Sequence, residues 1–258
     1  MDNLSHALAG LLIAEGVIQL KIARGTPPSP QFARSAYVVS AVANNLPDLD
    51  FLCARLTSPR SLGYLLHHRG HTHTALGALA MAALFVWVWG LALARIRRGL
   101  APGEWSWLWL LGLSGALVHI AMDSSNNYGV HPFWPLYDGW LYGDFVFIVE
   151  PLFFAVGIPP LLFAFRSRLA RVVLALVLVA IVTLTWLIPF VAFWVALLVT
   201  LVSLGALLLA RTQSPAARIL CAFASAAALV LVFGAMHFRA RSLATAALPA
   251  DARLEDVV

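Results

Sequence analysis

Residues 74–94 read TALGALAMAALFVWVWGLALA, a run of 21 residues without a charged side chain. A helix of about 20 apolar residues is long enough to cross the hydrocarbon core of a bilayer. The stretch therefore predicts a membrane-spanning helix.

Similar apolar runs recur on both sides of this stretch. The composition agrees with them, since 61% of the 258 residues are hydrophobic and 11% are charged. The sequence predicts an all-α fold, a polytopic transmembrane bundle of about eight helices. We place the spanning segments at approximately 4–22, 35–54, 74–94, 105–122, 144–165, 169–187, 190–210 and 216–237.

The second segment contains the sequence NLPDLD at residues 45–50, which is unusual for a spanning helix. Pro47 removes a helical hydrogen bond, and the carboxylates of Asp48 and Asp50 are costly in lipid. We expect a kinked or broken helix there. Such backbone is tolerated at membrane depth only where it is buried in protein or lines a wet cavity.

Basic residues gather at one end of the predicted helices. Of seventeen Lys and Arg residues, eleven fall on one side, which the positive-inside rule makes cytoplasmic. Both termini are then extracytoplasmic, and the net charge of +5 reflects topology in a cell (inner) membrane rather than nucleic-acid binding. The eleven are Lys21, Arg24, Arg34, Arg95, Arg97, Arg98, Arg166, Arg168, Arg171, Arg211 and Arg218.

Ionisable residues of the first half of the chain converge on the predicted extracytoplasmic side. Seven of the eight histidines lie at or before residue 131. Each buried ionisable group carries a desolvation cost, and a shared cation would offset it. The residues on that side are His6, Asp48, Asp50, His67, His68, His71, His73, His119, Asp123, His131, Asp138, Asp144 and Glu150.

One pair in this set has a spacing typical of a metal site. His119 and Asp123 are four residues apart on a predicted helix, so their side chains share one face and can approach one cation. Mixed imidazole and carboxylate ligands suit zinc, manganese or iron better than magnesium or calcium. The residues therefore predict a divalent metal, with zinc favoured.

Each residue taken alone has a simpler interpretation. His6 is typical of a capping or interfacial residue, and His119 with Asp123 is typical of a hydrogen bond on a helix surface. Asp48 and Asp50 are equally consistent with a proton path or a helix-breaking turn. Glu15 is expected to serve as an internal hydrogen-bond partner.

Several motifs together resemble the YdjM-type family of membrane-bound metal-dependent hydrolases over about residues 1–155. The resemblance implies a polar site among transmembrane helices and a hydrolytic activity without naming a substrate. Glu150 stands where the family pattern has Asp before proline, so the geometry there is expected to differ by one methylene. The matching stretches are SH at 5–6, NLPDLD at 45–50, HRGHTH at 68–73, HIAMD at 119–123, YG at 128–129 and GDFVFIVEP at 143–151.

The leading hypothesis is a divalent-metal hydrolase with its site in a domain of residues 1–165, followed by scaffold helices and a short polar tail in 166–258. We expect Arg69 to bind a phosphate or carboxylate of the substrate, because guanidinium offers a bidentate fork. Asp144 and Glu150 are predicted to orient imidazoles or act as a general base. A lipid or lipid-linked phosphoester at the membrane surface is the expected substrate. The predicted metal ligands are His6, Asp48, Asp50, His68, His73, His119 and Asp123.

Two alternatives remain at this stage. A metal-ion or proton transporter would use the same residues as a transient site, but a path should leave polar residues along its whole length. A non-catalytic scaffold with a structural metal would fill every coordination position with protein ligands, whereas a catalytic site keeps one open.

Overall fold

A computed structural model describes residues 1–59, 61–63, 68–96 and 99–248. His67, Arg97 and Arg98, used above, lie outside the described residues, as does the tail from 249. Ten helices have both ends in the described ranges. They are α1 (Asn3–Ala23), α2 (Pro30–Ala43), α3 (Ala75–Arg95), α4 (Glu104–Asp123), α5 (Pro151–Ala164), α6 (Arg168–Leu187), α7 (Phe193–Thr212), α8 (Pro215–Ala247) and two 3-10 helices, Pro47–Leu56 and His71–His73.

The predicted all-α bundle is confirmed. Six of the eight described α-helices, all except α2 and α5, are long and apolar enough to cross a membrane. Helices α2 and α5 have 14 residues each. They are shorter than the roughly 20 residues that a full crossing needs.

Serine followed by proline starts two of these helices. Ser29 accepts a hydrogen bond from the Phe32 N–H at the start of α2, and Ser214 does the same for α8. The hydroxyl satisfies one of the free N–H groups at the helix start, and proline at the first position lacks an N–H that would need a partner. These pairs fix where each helix enters the bundle.

The break predicted around Pro47 is confirmed, but two predicted segment bounds are wrong. The helix expected over 35–54 ends at Ala43 and gives way to a 3-10 helix from Pro47, because proline cannot donate to the preceding turn. The helix expected over 144–165 begins only at Pro151. Asp144 has a φ of 50°, in the left-handed region, which a helix does not accommodate.

Helix α1 joins two groups of helices. It packs against α2 and α4 on one side and against α5 and α8 on the other. Gly10 allows the closest approach, since a Cβ there would lie 2.6 Å from the Ser40 carbonyl oxygen of α2. The start of α1, the end of α2 and the end of α4 are thereby held at the same end of the bundle.

Candidate metal centre

The spacing of His119 and Asp123 on α4 produces the pair that the sequence predicts. Both side chains are fully buried, and His119 Nε2 lies 3.7 Å from Asp123 Oδ2. The two residues occupy the last turns of α4, where the helix meets the segments around Asp48 and His73. Two chelating groups are therefore held on one helix face.

The 3-10 helix after Pro47 points its two carboxylates in different directions. Asp48 Oδ1 lies 3.2 Å from His73 Nε2 and 3.7 Å from His119 Nε2. Asp50 instead accepts hydrogen bonds from the Thr72 hydroxyl and the Arg69 backbone N–H, both at 2.8 Å. Asp48 therefore faces the end of α4, whereas Asp50 faces the 68–72 loop.

Four residues converge as a group that could hold a metal ion: Asp48, His73, His119 and Asp123, called here the four-residue cluster. Each offers one ligand atom, and these atoms all lie within 4.8 Å of one another. The two Nε2 atoms of His73 and His119 are 3.2 Å apart, and His73 Nε2 is 3.4 Å from Asp123 Oδ2. All four residues are at least nine-tenths buried.

Both imidazoles in the cluster are oriented through their Nδ1 atoms. His119 Nδ1 lies 2.8 Å from the Asn44 carbonyl oxygen, which can only accept, so Nδ1 carries the hydrogen. His73 Nδ1 lies 3.1 Å from Asp50 Oδ2. A hydrogen on Nδ1 leaves the Nε2 lone pair for a cation, and such outer partners usually accompany metal-bound histidines.

The cluster fits a small divalent ion. A tetrahedron with metal–ligand distances of about 2.0–2.1 Å has edges of about 3.3–3.4 Å. The five measured contacts between ligand atoms of different residues run from 3.2 to 3.7 Å. Two lone-pair nitrogens 3.2 Å apart, those of His73 and His119, are favourable only with a cation or a proton between them. The two-imidazole, two-carboxylate set fits the predicted class of metal without selecting one.

Asp50 and His68, both predicted ligands, lie next to the cluster rather than within it. His68 Nδ1 is 2.9 Å from Asp50 Oδ1, and Asp50 in turn contacts Nδ1 of His73. Asp50 therefore orients the imidazole of His73 through Nδ1, the ring nitrogen that does not face the cluster. The hydroxyl of Thr72, a residue that no spacing pattern in the sequence indicates, also contacts both Asp50 and His73.

His6 is fully buried beside the cluster. Its Nε2 lies 3.2 Å from Asp123 Oδ1, and its ring stacks on His119 with 3.9 Å between centroids. The capping role that His6 alone would suggest belongs to Asp2, whose carboxylate accepts from two N–H groups of the first turn of α1. The Met1 amino group also contacts Asp123 Oδ1.

Arg69 contacts both Asp50, beside the cluster, and Asp123, within it. Its backbone N–H binds Asp50, while its guanidinium lies 3.1 Å from Asp123 Oδ2 and donates to Asn126 Oδ1 at 3.0 Å. Its φ of 63° is unusual for a residue with a side chain and reflects this double engagement. Arg69 also lines a neighbouring cavity. Its predicted role in substrate binding stays a prediction.

A cavity of about 400 Å³ with a mixed wall opens beside the cluster, and it is called here the polar cavity after its charged and polar residues. Asp48, His68, Arg69 and Tyr128 contribute to its wall. Asp48 is thus the member of the four-residue cluster that reaches the wall of this cavity.

Asp144 and Glu150, the predicted catalytic residues, lie in the segment before α5. Glu150 caps α5 by accepting from the Leu152 N–H at 3.2 Å, and burial raises the pKa of its carboxyl. Asp144 is exposed, and its backbone N–H donates to the Asn126 carbonyl at 3.3 Å. These contacts give both residues a local structural role, and their catalytic role stays a prediction.

The charges around His73 favour a proton where a cation would bind. Burial opposes ionisation of Asp50, but hydrogen bonds from His68 and His73 hold the pKa of its carboxyl well below its usual range. Burial likewise lowers the pKa of His73, yet hydrogen bonds to Asp48 and Asp50 raise it above the ordinary value. A proton on His73 therefore competes with any cation in the cluster.

A family comparison covers all the residues of this site. The model of the family described as YdjM inner membrane protein matches residues 1–195, about three quarters of the chain. The chain therefore belongs to the YdjM inner membrane protein family, and its apolar helices make it a multi-pass inner membrane protein. The chain has no match among the curated proteins or the solved structures.

Proposed function

We propose that this member of the YdjM family is a divalent-metal-dependent hydrolase whose four-residue cluster holds the metal. The observation that carries the proposal is the convergence of Asp48, His73, His119 and Asp123, all buried, with ligand atoms within 4.8 Å of one another. When bound, a divalent metal supplies Lewis acidity, which polarises a carbonyl or phosphoryl oxygen and activates water near neutral pH.

Other groups of the site orient the metal ligands and bind the substrate. Asp50 and the Asn44 carbonyl hold the imidazoles of His73 and His119 with their Nε2 atoms toward the cluster. Arg69 is fixed at the cavity wall by Asn126, where its positive charge can bind an anionic group of the substrate. The proposed hydrolase thus receives its substrate from the polar cavity.

The same cavity supports a catalytic rather than a purely structural metal. A structural site is closed by protein ligands, while a catalytic site keeps a position open to water or substrate. Asp48 belongs to the cluster and also lines the 400 Å³ cavity. We therefore propose that the open coordination position lies on the Asp48 side of the cluster, toward this cavity.

An ester or phosphoester of a membrane lipid is the substrate class that we propose. The cluster lies where α4, a helix long enough to cross the membrane, ends at Asp123. Lipid head groups are concentrated at that depth, where they can enter the site without leaving the membrane.

Metal analysis coupled to hydrolysis tests this function. Purified protein should carry a stoichiometric divalent metal, lose hydrolysis of lipid phosphoesters and carboxylic esters on chelation, and regain it when metal is restored. His119→Ala should remove both metal and hydrolysis, whereas His237→Ala, outside the site, should change neither. Metal-free protein that is folded and hydrolytically active would overturn the proposal, as would stoichiometric metal without hydrolysis of either ester class.

Ion transport is the second candidate, because one observation favours it. Glu15 is buried inside α1, where Tyr37 and Gln19 donate hydrogen bonds to its carboxylate. It lies nine residues beyond His6, or about 13 Å along the helix. Transport predicts that Glu15→Gln abolishes ion flux into vesicles, whereas the hydrolase proposal predicts unchanged hydrolysis in that variant.

A further inference from the structure

A second cavity, almost entirely apolar, lies between α1, α4, α5 and α8. Its volume is about 510 Å³, within the range of roughly 300–1,000 Å³ that is usual for small-molecule sites. It is bounded by helices that span the membrane or lie among them. Its wall includes Leu8, Leu12, Met122, Phe153, Phe223 and Ala226.

The cavity follows one face of α1. Residues 5, 8, 9, 12 and 13 line it, a spacing that covers one helix face over about 12 Å. Met1 extends the lining further toward the metal centre. One leaflet contributes about 15 Å of the roughly 30 Å hydrocarbon core. The cavity therefore has a length comparable to the depth of one leaflet.

The apolar cavity and the polar cavity lie next to each other at Met1. Met1 lines both, and it is itself buried. The apolar cavity also contains Ser5 and Ser125, which adjoin His6 and Asn126 of the site in sequence. Its polar end is thus the end beside the metal centre, and its opposite end is hydrocarbon-like.

We propose that the apolar cavity binds one hydrocarbon chain of a membrane lipid while the head group of the same lipid occupies the polar cavity. The head-group part rests on the proposed function, whereas the chain part does not. Arg69 and His68 in the polar cavity match an anionic, phosphate-containing head group. The two cavities together fit an amphiphile whose scissile bond lies at their junction.

A helix from another protein copy is a poorer occupant. A helix would match only the apolar cavity, whereas an amphiphile also accounts for the charged residues of the neighbouring cavity, Asp48 and Arg69. The surrounding solvent at this depth is lipid, since α8 exposes large apolar side chains such as Leu231 and Val232.

Photocrosslinking with a lipid probe tests the chain site directly. The full chain would be placed in phosphatidylcholine vesicles that contain phosphatidylglycerol with a diazirine near the end of one acyl chain. Crosslinks should be enriched on the cavity residues of α1 and α8 over exposed residues of α6 such as Val179. Ala226→Trp should lower cavity crosslinking several-fold, because the indole would occupy the chain's space.

Ala228→Trp is the matched control, since Ala228 lies on the same helix, is exposed and does not line the cavity. It should leave cavity crosslinking unchanged. Ala226→Leu provides a smaller obstruction if the tryptophan variant folds poorly, and unchanged metal content shows that the site itself is intact. Equal cavity crosslinking in both tryptophan variants, absence of enrichment over α6, or crosslinks between two copies through this cavity would overturn the proposal.

The same experiment separates this inference from the proposed function. Asp123→Asn should lose metal but keep the enriched crosslinks, because Asp123 does not line the apolar cavity. Enriched crosslinks in a protein without metal or hydrolysis would retain the chain site and reject the hydrolase. Hydrolysis of lipid and short-chain esters with equal KM, without enriched crosslinks, would retain the hydrolase and reject the chain site.

Discussion

Asp50 Oδ2 lies 3.1 Å from Nδ1 of His73, on the side of the ring opposite to Nε2, which faces Asp48. The carboxylate therefore sets the orientation of an imidazole whose other nitrogen faces the cluster. This arrangement of carboxylate, histidine and ligand position predicts that Asp50 tunes metal affinity without itself belonging to the four-residue cluster.

Substitution by asparagine should reduce metal affinity more at Asp123 than at Asp50. Asp123→Asn removes a charged ligand while keeping the shape, so we expect metal affinity and hydrolysis to fall by orders of magnitude. Asp50→Asn should weaken metal binding by about 10–100-fold, the usual effect of losing an outer partner. Isothermal titration with metal and hydrolytic assays measure both, and thermal unfolding checks that the bundle is intact.

A lipid-facing change provides the control for these variants. Leu201→Ser alters an exposed residue of α7, far along the chain from the cluster. It should leave metal content and hydrolysis nearly unchanged. Full metal and full activity in both asparagine variants would reject the catalytic site.

Metal affinity should fall as the pH falls. His73 and His119 must be deprotonated at Nε2 to bind a cation, and each displaced proton weakens binding by about tenfold per pH unit below the pKa of its group. Hydrogen bonds to Asp48 and Asp50 overcome the effect of burial and raise the pKa of His73. As the pH is lowered, metal affinity should therefore begin to fall at a higher pH than it would if His73 had the pKa of an ordinary histidine. Competition titrations across about pH 5–8 measure it, and a constant affinity over that range would contradict the ligand assignment.

Sequence periodicity predicted the parts of the site that depend on regular helix. His119 and Asp123 met because a spacing of four residues is fixed by the helix itself, and Pro47 broke the helix because it lacks an N–H. The role of Asn44 was missed, because its backbone carbonyl orients His119 and no side-chain pattern signals that contact. A free carbonyl after the end of α2 was the available clue.

The irregular segments were harder to predict. The two carboxylates after Pro47 diverge because the chain continues as a 3-10 helix rather than an extended strand, so only Asp48 joins the cluster. The apolar run at 145–149 suggested the start of a helix, yet helix α5 begins after it. Composition alone does not separate an apolar loop at a membrane surface from the end of a spanning helix.

Arg69→Ala should weaken substrate binding while leaving metal bound. The guanidinium lines the polar cavity, and a bound metal would continue to neutralise Asp123 in its absence. We expect a higher KM with unchanged metal content. Arg69→Lys keeps the charge but loses the bidentate guanidinium. Its KM should therefore lie between the KM of the wild type and that of the alanine variant. If the alanine variant lost metal instead, Arg69 would be a positioning residue for Asp123.

Glu104 should be essential for stability but not for metal binding. Its carboxylate is almost fully buried and accepts from the Ser29 N–H and hydroxyl at 2.7 Å each and from the Ala101 N–H at 2.8 Å. Glu104→Ala leaves buried donors without partners and should cost about 3 kcal/mol. Glu104→Gln keeps an acceptor oxygen and should cost less. Thermal unfolding measures both, and an unchanged midpoint in the alanine variant would refute the role.

The orientation of the bundle is the last prediction, and it depends on the basic residues. Eleven of seventeen Lys and Arg residues fall on the side of the α1–α2 loop, which the positive-inside rule makes cytoplasmic. Glu104 and Asp123 lie at opposite ends of α4, about 28 Å apart along its axis. Since Glu104 contacts Ser29 at the start of α2, the metal centre lies at the other end, on the predicted extracytoplasmic side. The end of α8 should lie on that side as well. A fluorescent protein that folds only in the cytoplasm, fused after residue 258, should therefore stay dark, while the same reporter inserted between Arg24 and Pro27 should fluoresce. Bright fluorescence from the C-terminal fusion together with a dark loop insertion would reverse the orientation and place the metal centre at the cytoplasmic surface.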